Sequence, residues 1–247
     1  MILKSITLRD FRNIEAADIT FSPDTTVLLG ENAAGKTNAV EAIYMFSRGR
    51  GFRSSGDRDL VRFGCGGYFA EIEFERGGRR IKMSQTYRED MGGRRKRRMR
   101  NGARITAAEL IGEFKSVLFT PDHLSILRGA PSERRSFIDA AISTLDRLYF
   151  ERLCRYDKLS SERASLLRAA KDGEAIDRSL LAVYGSQMAE FAAHIHVSRR
   201  EYISKLTEIA AAFDDRLSDG RERLTVSYVS DAAAIGETPS KSFNGLE

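Results

Sequence analysis

The chain has 247 residues, 42% hydrophobic and 30% charged, enough for one large core or two modest ones and too apolar for a disordered polymer. No apolar run approaches a membrane span, and the opening Met1-Ile2-Leu3-Lys4-Ser5 lacks the basic and apolar regions of an export signal, so a cytoplasmic location is expected. Forty Lys and Arg against 35 Asp and Glu leave +5, only a mild pointer to an anionic partner, and Cys65 and Cys154 lack the C-x-x-C spacing of a zinc or redox site.

In chain order, residues 2 to 8 and 17 to 29 predict two strands around a turn, the second ending in the apolar run Val27-Leu28-Leu29 expected of a buried parallel strand. Gly30-Glu31-Asn32-Ala33-Ala34-Gly35-Lys36-Thr37 then reads as a complete G-x-x-x-x-G-K-[ST] loop. Each residue type there has a physical reason. Glycines let successive backbone N–H groups turn inward toward phosphate oxygens. Lys36 supplies charge to the β- and γ-phosphates, and the Thr37 hydroxyl is the expected Mg2+ ligand. Ala39, Val40, Ile43, Tyr44 and Phe46 follow at helical spacing, which places a helix N-terminus beneath the phosphates. The loop therefore predicts a nucleoside triphosphate.

Residues 47 to 67 read as a Gly- and Arg-rich loop. Residues 69 to 74 and 79 to 87 alternate as strands around a Gly77-Gly78 turn. Arg94-Arg95-Lys96-Arg97-Arg98-Met99-Arg100 places six cations in seven residues, directly before Asn101-Gly102, a strong hairpin signal. Cations on both faces of a protruding ribbon would either protect a sheet edge from pairing or contact a phosphate backbone, and charge alone leaves both open. A short helix over residues 107 to 114 and a strand over residues 116 to 119 are expected next.

Composition shifts near Pro121. Pro131-Ser132-Glu133 marks a helix start, and Leu145, Tyr149, Leu153 and Tyr156 fall on one stripe. After Lys171-Asp172-Gly173, a second long helix carries Leu181, Tyr184, Met188, Phe191, Ile195, Tyr202, Leu206, Ile209 and Phe213 on an apolar seam. The two helices predict an antiparallel arm. His194 and His196, two apart, point to different faces and form no metal pair. Leu224 to Val229 alternates as a final strand. The expected organisation is an α/β lobe over 1–120, a helical arm over 121–220, and a strand with coil over 221–247.

Several segments together resemble the RecF family of bacterial DNA replication and repair ATPases, which are related to SMC heads in the ABC ATPase superfamily. They are Leu8-Arg9-Asp10-Phe11-Arg12-Asn13, the phosphate loop with Asn38 and Glu41-Ala42-Ile43-Tyr44, Phe52-Arg53-Ser54 with Asp59-Leu60-Val61-Arg62, Phe119-Thr120-Pro121-Asp122, and Gly129 to Asp139. The resemblance implies a P-loop, ABC-type head, here incomplete at its C-terminus. It implies an ATP-dependent protein that binds single-stranded, double-stranded and junction DNA, helps RecO and RecR load RecA, and dimerises around bound ATP. It places Arg12, Asn13 and Arg62 near the nucleotide.

Two family features are missing. Ile209 to Asp215 imitates a Walker B strand with an acidic pair, but its alanines and its place on the helical stripe make it a helix end. Leu217-Ser218-Asp219-Gly220 imitates the start of a signature motif in the wrong order. No glutamine lies near Thr120-Pro121-Asp122 to sense Mg2+ and water; Asp122 is the candidate substitute. The expectation is ATP binding with little or no hydrolysis by these residues and no catalytic residue among them. The alternative is an unrelated P-loop enzyme such as a small kinase.

Overall fold

The structure is a computed structural model that describes residues 1–54, 56–124, 126, 129–173 and 175–230. Two compact units meet in sequence at residue 125. In the first, strands β1 (Ile2–Phe11), β2 (Ile14–Thr20), β3 (Gly67–Arg76), β4 (Arg79–Asp90), β5 (Gly93–Arg100) and β6 (Ala103–Arg104) form one sheet in the order β2-β1-β3-β4-β5-β6, antiparallel throughout. Alternation sets its faces. Tyr68, Ala70, Ile72 and Phe74 of β3 point to the core while Glu71, Glu73 and Glu75 point away.

Helix α1 (Lys36–Arg48) closes that core with Ala39, Ala42, Met45 and Phe46, all buried at helical spacing against Ile6, Leu8 and Phe11 of β1. It ends at Gly49, whose φ of 75° lets its N–H reach Met45 O at 2.8 Å. A 3-10 turn (Asp57–Leu60) brings the chain back alongside β1, where Arg12 N donates to Leu60 O and Arg62 N to Asp10 O, each at 2.8 Å. Asn101 (φ 49°) and Gly102 (φ 83°) make the anticipated tight turn between β5 and β6. Helix α2 spans only Ala107–Leu110, capped reciprocally by Thr106 and Glu109.

Of the expected strands, the one over 17–29 forms only as far as Thr20, and those over 116–119 and 224–229 are coil. Residues 27–29 join no ladder among the described residues, and Val27 and Leu29 are 69% and 86% exposed. Residues 116–119 are likewise irregular, with Val117 and Phe119 exposed. An apolar run becomes a buried strand only when neighbouring strands satisfy its backbone, and none does so among the described residues. The third is 224–229, which runs back against a helix instead: Leu224 N donates to Asp214 Oδ2 at 2.9 Å, and Thr207 Oγ1 to Val226 O at 2.8 Å. Residues 231–247, expected as coil, lie outside the described residues, as does the Asp122 side chain.

The second unit is helical: α3 (Pro131–Leu145), α4 (Arg147–Lys171) and α5 (Arg178–Ser218). The single helix expected from Pro131 is broken at Asp146, whose carboxylate accepts from Leu148 N and Tyr149 N at 2.8 and 3.1 Å and starts α4 as its N-cap. Asp177 does the same for α5 through Leu180 N. At about 1.5 Å per residue, α5 reaches roughly 60 Å and α4 under 40 Å. Ile142, Tyr149 and Ile195 form the packed centre. Past that level α5 overhangs α4, so Ile209, Phe213 and Leu217 are exposed although they continue the apolar stripe.

Candidate functional site

The phosphate loop connects coil to α1 through backbone that side chains disfavour: φ is 148° at Gly30, 65° at Ala33 and 97° at Gly35. Gly35 is doubly constrained, because a Cβ there would sit 3.0 Å from Ile14 Cγ1 and 3.1 Å from Asn13 Oδ1. Gly35 is also the N-cap of α1 and offers no side chain to the helix's first N–H groups, which leaves the positive end of the helix open for an anion. Lys36 folds over the loop and donates to Gly30 O at 2.7 Å and Glu31 O at 2.6 Å. Thr37 is exposed and Asn38 half-buried. A cavity of about 560 Å³ adjoins the loop, bordered by Asn13, Glu15, Leu28, Ala34 and Lys36.

Hydrogen bonds chain the loop to its surroundings. Asn13 Nδ2 donates to Ala33 O, Asn38 Nδ2 to Asn13 Oδ1 at 2.6 Å, and Arg53 to Asn38 Oδ1. The chain ends at Glu41, on the core side of α1 and fully buried. Its carboxylate accepts from Arg12 Nε and Nη2 at 3.0 and 3.1 Å, and from Arg53 N at 2.9 Å and Nη2 at 3.3 Å. Gly51 makes room for this cluster, since a Cβ there would lie 2.6 Å from Glu41 Oε1. Sequence reading took Glu41 only as part of a motif; its burial beside two arginines was the missed signal.

The expected nucleotide contacts therefore divide. Asn13 touches the phosphate loop, whereas the Arg12 guanidinium is turned to Glu41. Arg62 pairs with Glu15 at 2.9 Å and Asp10 at 3.7 Å. It stands on the wall of a different, about 430 Å³ cavity with Phe63 and Glu89.

The basic run is not a protruding ribbon with free charge on both sides. It forms β5, paired along its length with β4, and three of the four cations on its core-side face are ion-paired. Arg94 meets Glu89 at 3.1 Å, Lys96 meets Asp57 at 2.5 Å and Arg100 meets Glu113. Burial lowers the pKa of Lys96, which Asp57 partly offsets, and burial lowers that of Arg98 as well. Arg98 Nε is buried with no hydrogen-bond partner among the described residues. Only Arg95 and Arg97 project to the exposed face.

The helical unit has its own buried polar group. Arg199 grips Asp139 with two bonds of 2.7 Å, and Tyr149 OH donates to Asp139 Oδ1 at 2.5 Å. Burial and the Asp139 carboxylate both raise the Tyr149 pKa. This cluster joins α3, α4 and α5 and is a structural pin. Asp214 and Asp215 sit in the last turns of α5, where the sequence reading placed a helix end.

A sequence-family model described as AAA ATPase domain matches residues 1–90. The DNA replication and repair protein RecF of Agathobacter rectalis is 36% identical over 238 residues, 92% of this chain and 62% of that protein. That of Symbiobacterium thermophilum is 36% identical over 243 residues, 96% of this chain and 63% of that protein. A solved structure of the recombination mediator protein RecF with ATP, in the RecFOR pathway, superposes with a TM-score of 0.87 at 31% identity over 96% of this chain and 63% of that one.

Over nearly its whole length the chain is similar to RecF proteins.

Its fold is that of a RecF ATPase head, an antiparallel sheet with a P-loop helix, carrying a helical arm of two long antiparallel helices. The chain spans about three fifths of the length of the RecF proteins it matches.

Proposed function

We propose that the chain binds ATP with Mg2+ at Gly30–Thr37 and serves DNA replication and repair as a nucleotide-dependent DNA-binding protein. The observation that carries the ATP reading is the phosphate loop itself. It joins three left-handed residues, an uncapped helix N-terminus, and a lysine whose only hydrogen-bond acceptors among the described residues are the loop's own carbonyls. A triphosphate would take those N–H groups and draw the Lys36 ammonium onto its β- and γ-oxygens. The Thr37 hydroxyl would hold Mg2+, which neutralises phosphate charge when bound. Asn13 and Asn38 keep the loop in shape.

Hydrolysis needs a carboxylate free to orient water. The one acidic pair that imitates a Walker B end, Asp214-Asp215, lies in the last turns of α5 rather than at the end of a strand, so we expect binding without steady turnover from these residues. The solved RecF structures of the RecFOR pathway support DNA, RecO and RecR as partners, and the family resemblance implies that the longer protein would dimerise around ATP. Calorimetric titration with ATP and Mg2+ tests the core of this reading. One saturable site, lost in Lys36→Ala while the melting temperature is kept, is the expected result. Equal affinity in the variant, or no binding to the parent chain, would overturn it.

A further inference from the structure

The β4–β5 ladder sorts its cations by face. Towards the core, Arg94, Lys96 and Arg100 are each neutralised by an acid. On the opposite face the acids of β3 are already matched: Glu71 pairs with Lys82 at 2.9 Å and Glu73 with Arg80 at 3.3 Å. What remains there is Arg88 of β4, Arg95 and Arg97 of β5, and Arg104 of β6, all exposed and without an ion pair among the described residues. Asp90, at the adjoining turn, accepts the Gly92 N–H at 2.8 Å.

Two features set this patch apart from an ordinary solvated edge. Arg88 stands directly opposite Arg95 in the register, and like charges in that position destabilise a sheet. Charge that merely blocks edge pairing belongs on the edge strand, yet β4 is interior, flanked by β3 and β5. At Arg88, flanked by Gly67 and Arg95, the fold therefore bears an electrostatic cost where edge protection gains nothing, whereas Arg95 and Arg97 lie on the part of β5 that β6 leaves open. Arg95 and Arg97 are same-face neighbours about 6.8 Å apart along β5, with Arg88 opposite Arg95 on β4 and Arg104 opposite Met99 on β6, so the charges form a band across three strands that suits a repeating polyanion better than a single phosphate.

We infer that Arg88, Arg95, Arg97 and Arg104 form the surface on which this chain carries a nucleic-acid phosphate backbone. On the other face Lys96 and Arg98 are largely buried, and the exposed Arg94 and Arg100 are already paired with Glu89 and Glu113. This rests on the DNA-binding reading above and adds to it the face, two arginines outside the basic run, and the exclusion of four cations within it.

The test is the salt dependence of binding to a labelled DNA duplex by the 247-residue chain, followed by fluorescence anisotropy. Replacing Arg95 and Arg97 by Gln, or Arg88 and Arg104 by Gln, should lower the slope of log K against log salt by about 1 per arginine. Arg94→Gln and Arg100→Gln, which remove only exposed ion pairs, should leave the slope as it is. If the parent chain binds duplex but the outer-face variants keep its slope, this assignment is wrong and the DNA reading stands. If the parent chain binds no duplex even near 50 mM salt, where backbone contacts are strong, the DNA reading falls and the assignment with it.

Discussion

At the scale of single residues, the nucleotide loop is held from below by Glu41. A carboxylate with no solvent exposure, gripped by Arg12 and Arg53, ties α1 to the end of β1 and to the segment after the helix. Removing its charge leaves two guanidinium groups facing a neutral amide. Glu41→Gln should therefore cost about 3 kcal/mol, as removal of one partner from a buried pair does, measured by urea unfolding; a loss within 0.5 kcal/mol, the usual range of surface changes, would show the cluster to be incidental. Gly35→Ala should be worse for binding than for folding. Its φ of 97° and the 3.0 Å approach to Ile14 would displace the first turn of α1, so nucleotide affinity should fall at least tenfold, read by the same titration as for Lys36→Ala. The loop was legible in the sequence because every residue of the motif is local. Glu41 was not, because its partners lie 29 and 12 positions away and only folding brings them to it.

At the scale of elements, the Asn101-Gly102 turn and the β3–β4 alternation were readable, since both depend on local periodicity and backbone freedom. Residues 27–29 were misread for the complementary reason: apolarity reports an affinity for a sheet, and partners decide whether a strand forms. The basic run was half legible. Its charge was plain, but whether a cation is free depends on Asp57, Glu89 and Glu113, which only the tertiary fold brings beside it. The stop at Asp146 was hidden because its cap, like an ordinary polar residue of a helix face, follows an uninterrupted apolar stripe.

Among the helices, Arg199→Met should cost about 3 kcal/mol by stranding Asp139, with thermal or urea unfolding of the helical unit as the readout. The same unit contains a weaker pH dependence. Burial, with a contribution from the Arg152 charge, holds the His194 pKa below its ordinary 6.5, and the opposing Asp146 charge does not cancel this. The unfolded chain then binds more protons between that lowered value and 6.5, so stability is lost as pH falls through 6.5 toward the folded pKa. His194→Gln should remove that part of the slope, and an unchanged slope in the variant would assign the effect to another group.

At the scale of the whole molecule, a mild net charge of +5 conceals an uneven distribution, with neutralised cations on one face of the β4–β5 ladder and bare ones on the other. The nucleotide loop and that face belong to the same N-terminal unit, so both binding activities should reside in the residues before 126. The most direct check of the central claim is amide hydrogen exchange of the 247-residue chain with and without ATP and Mg2+. The account predicts slowed exchange concentrated in Gly30–Ala39, where the loop N–H groups and the first turn of α1 would bind phosphate oxygens. Unchanged exchange across that stretch at saturating ATP, or protection confined to another segment, would contradict it.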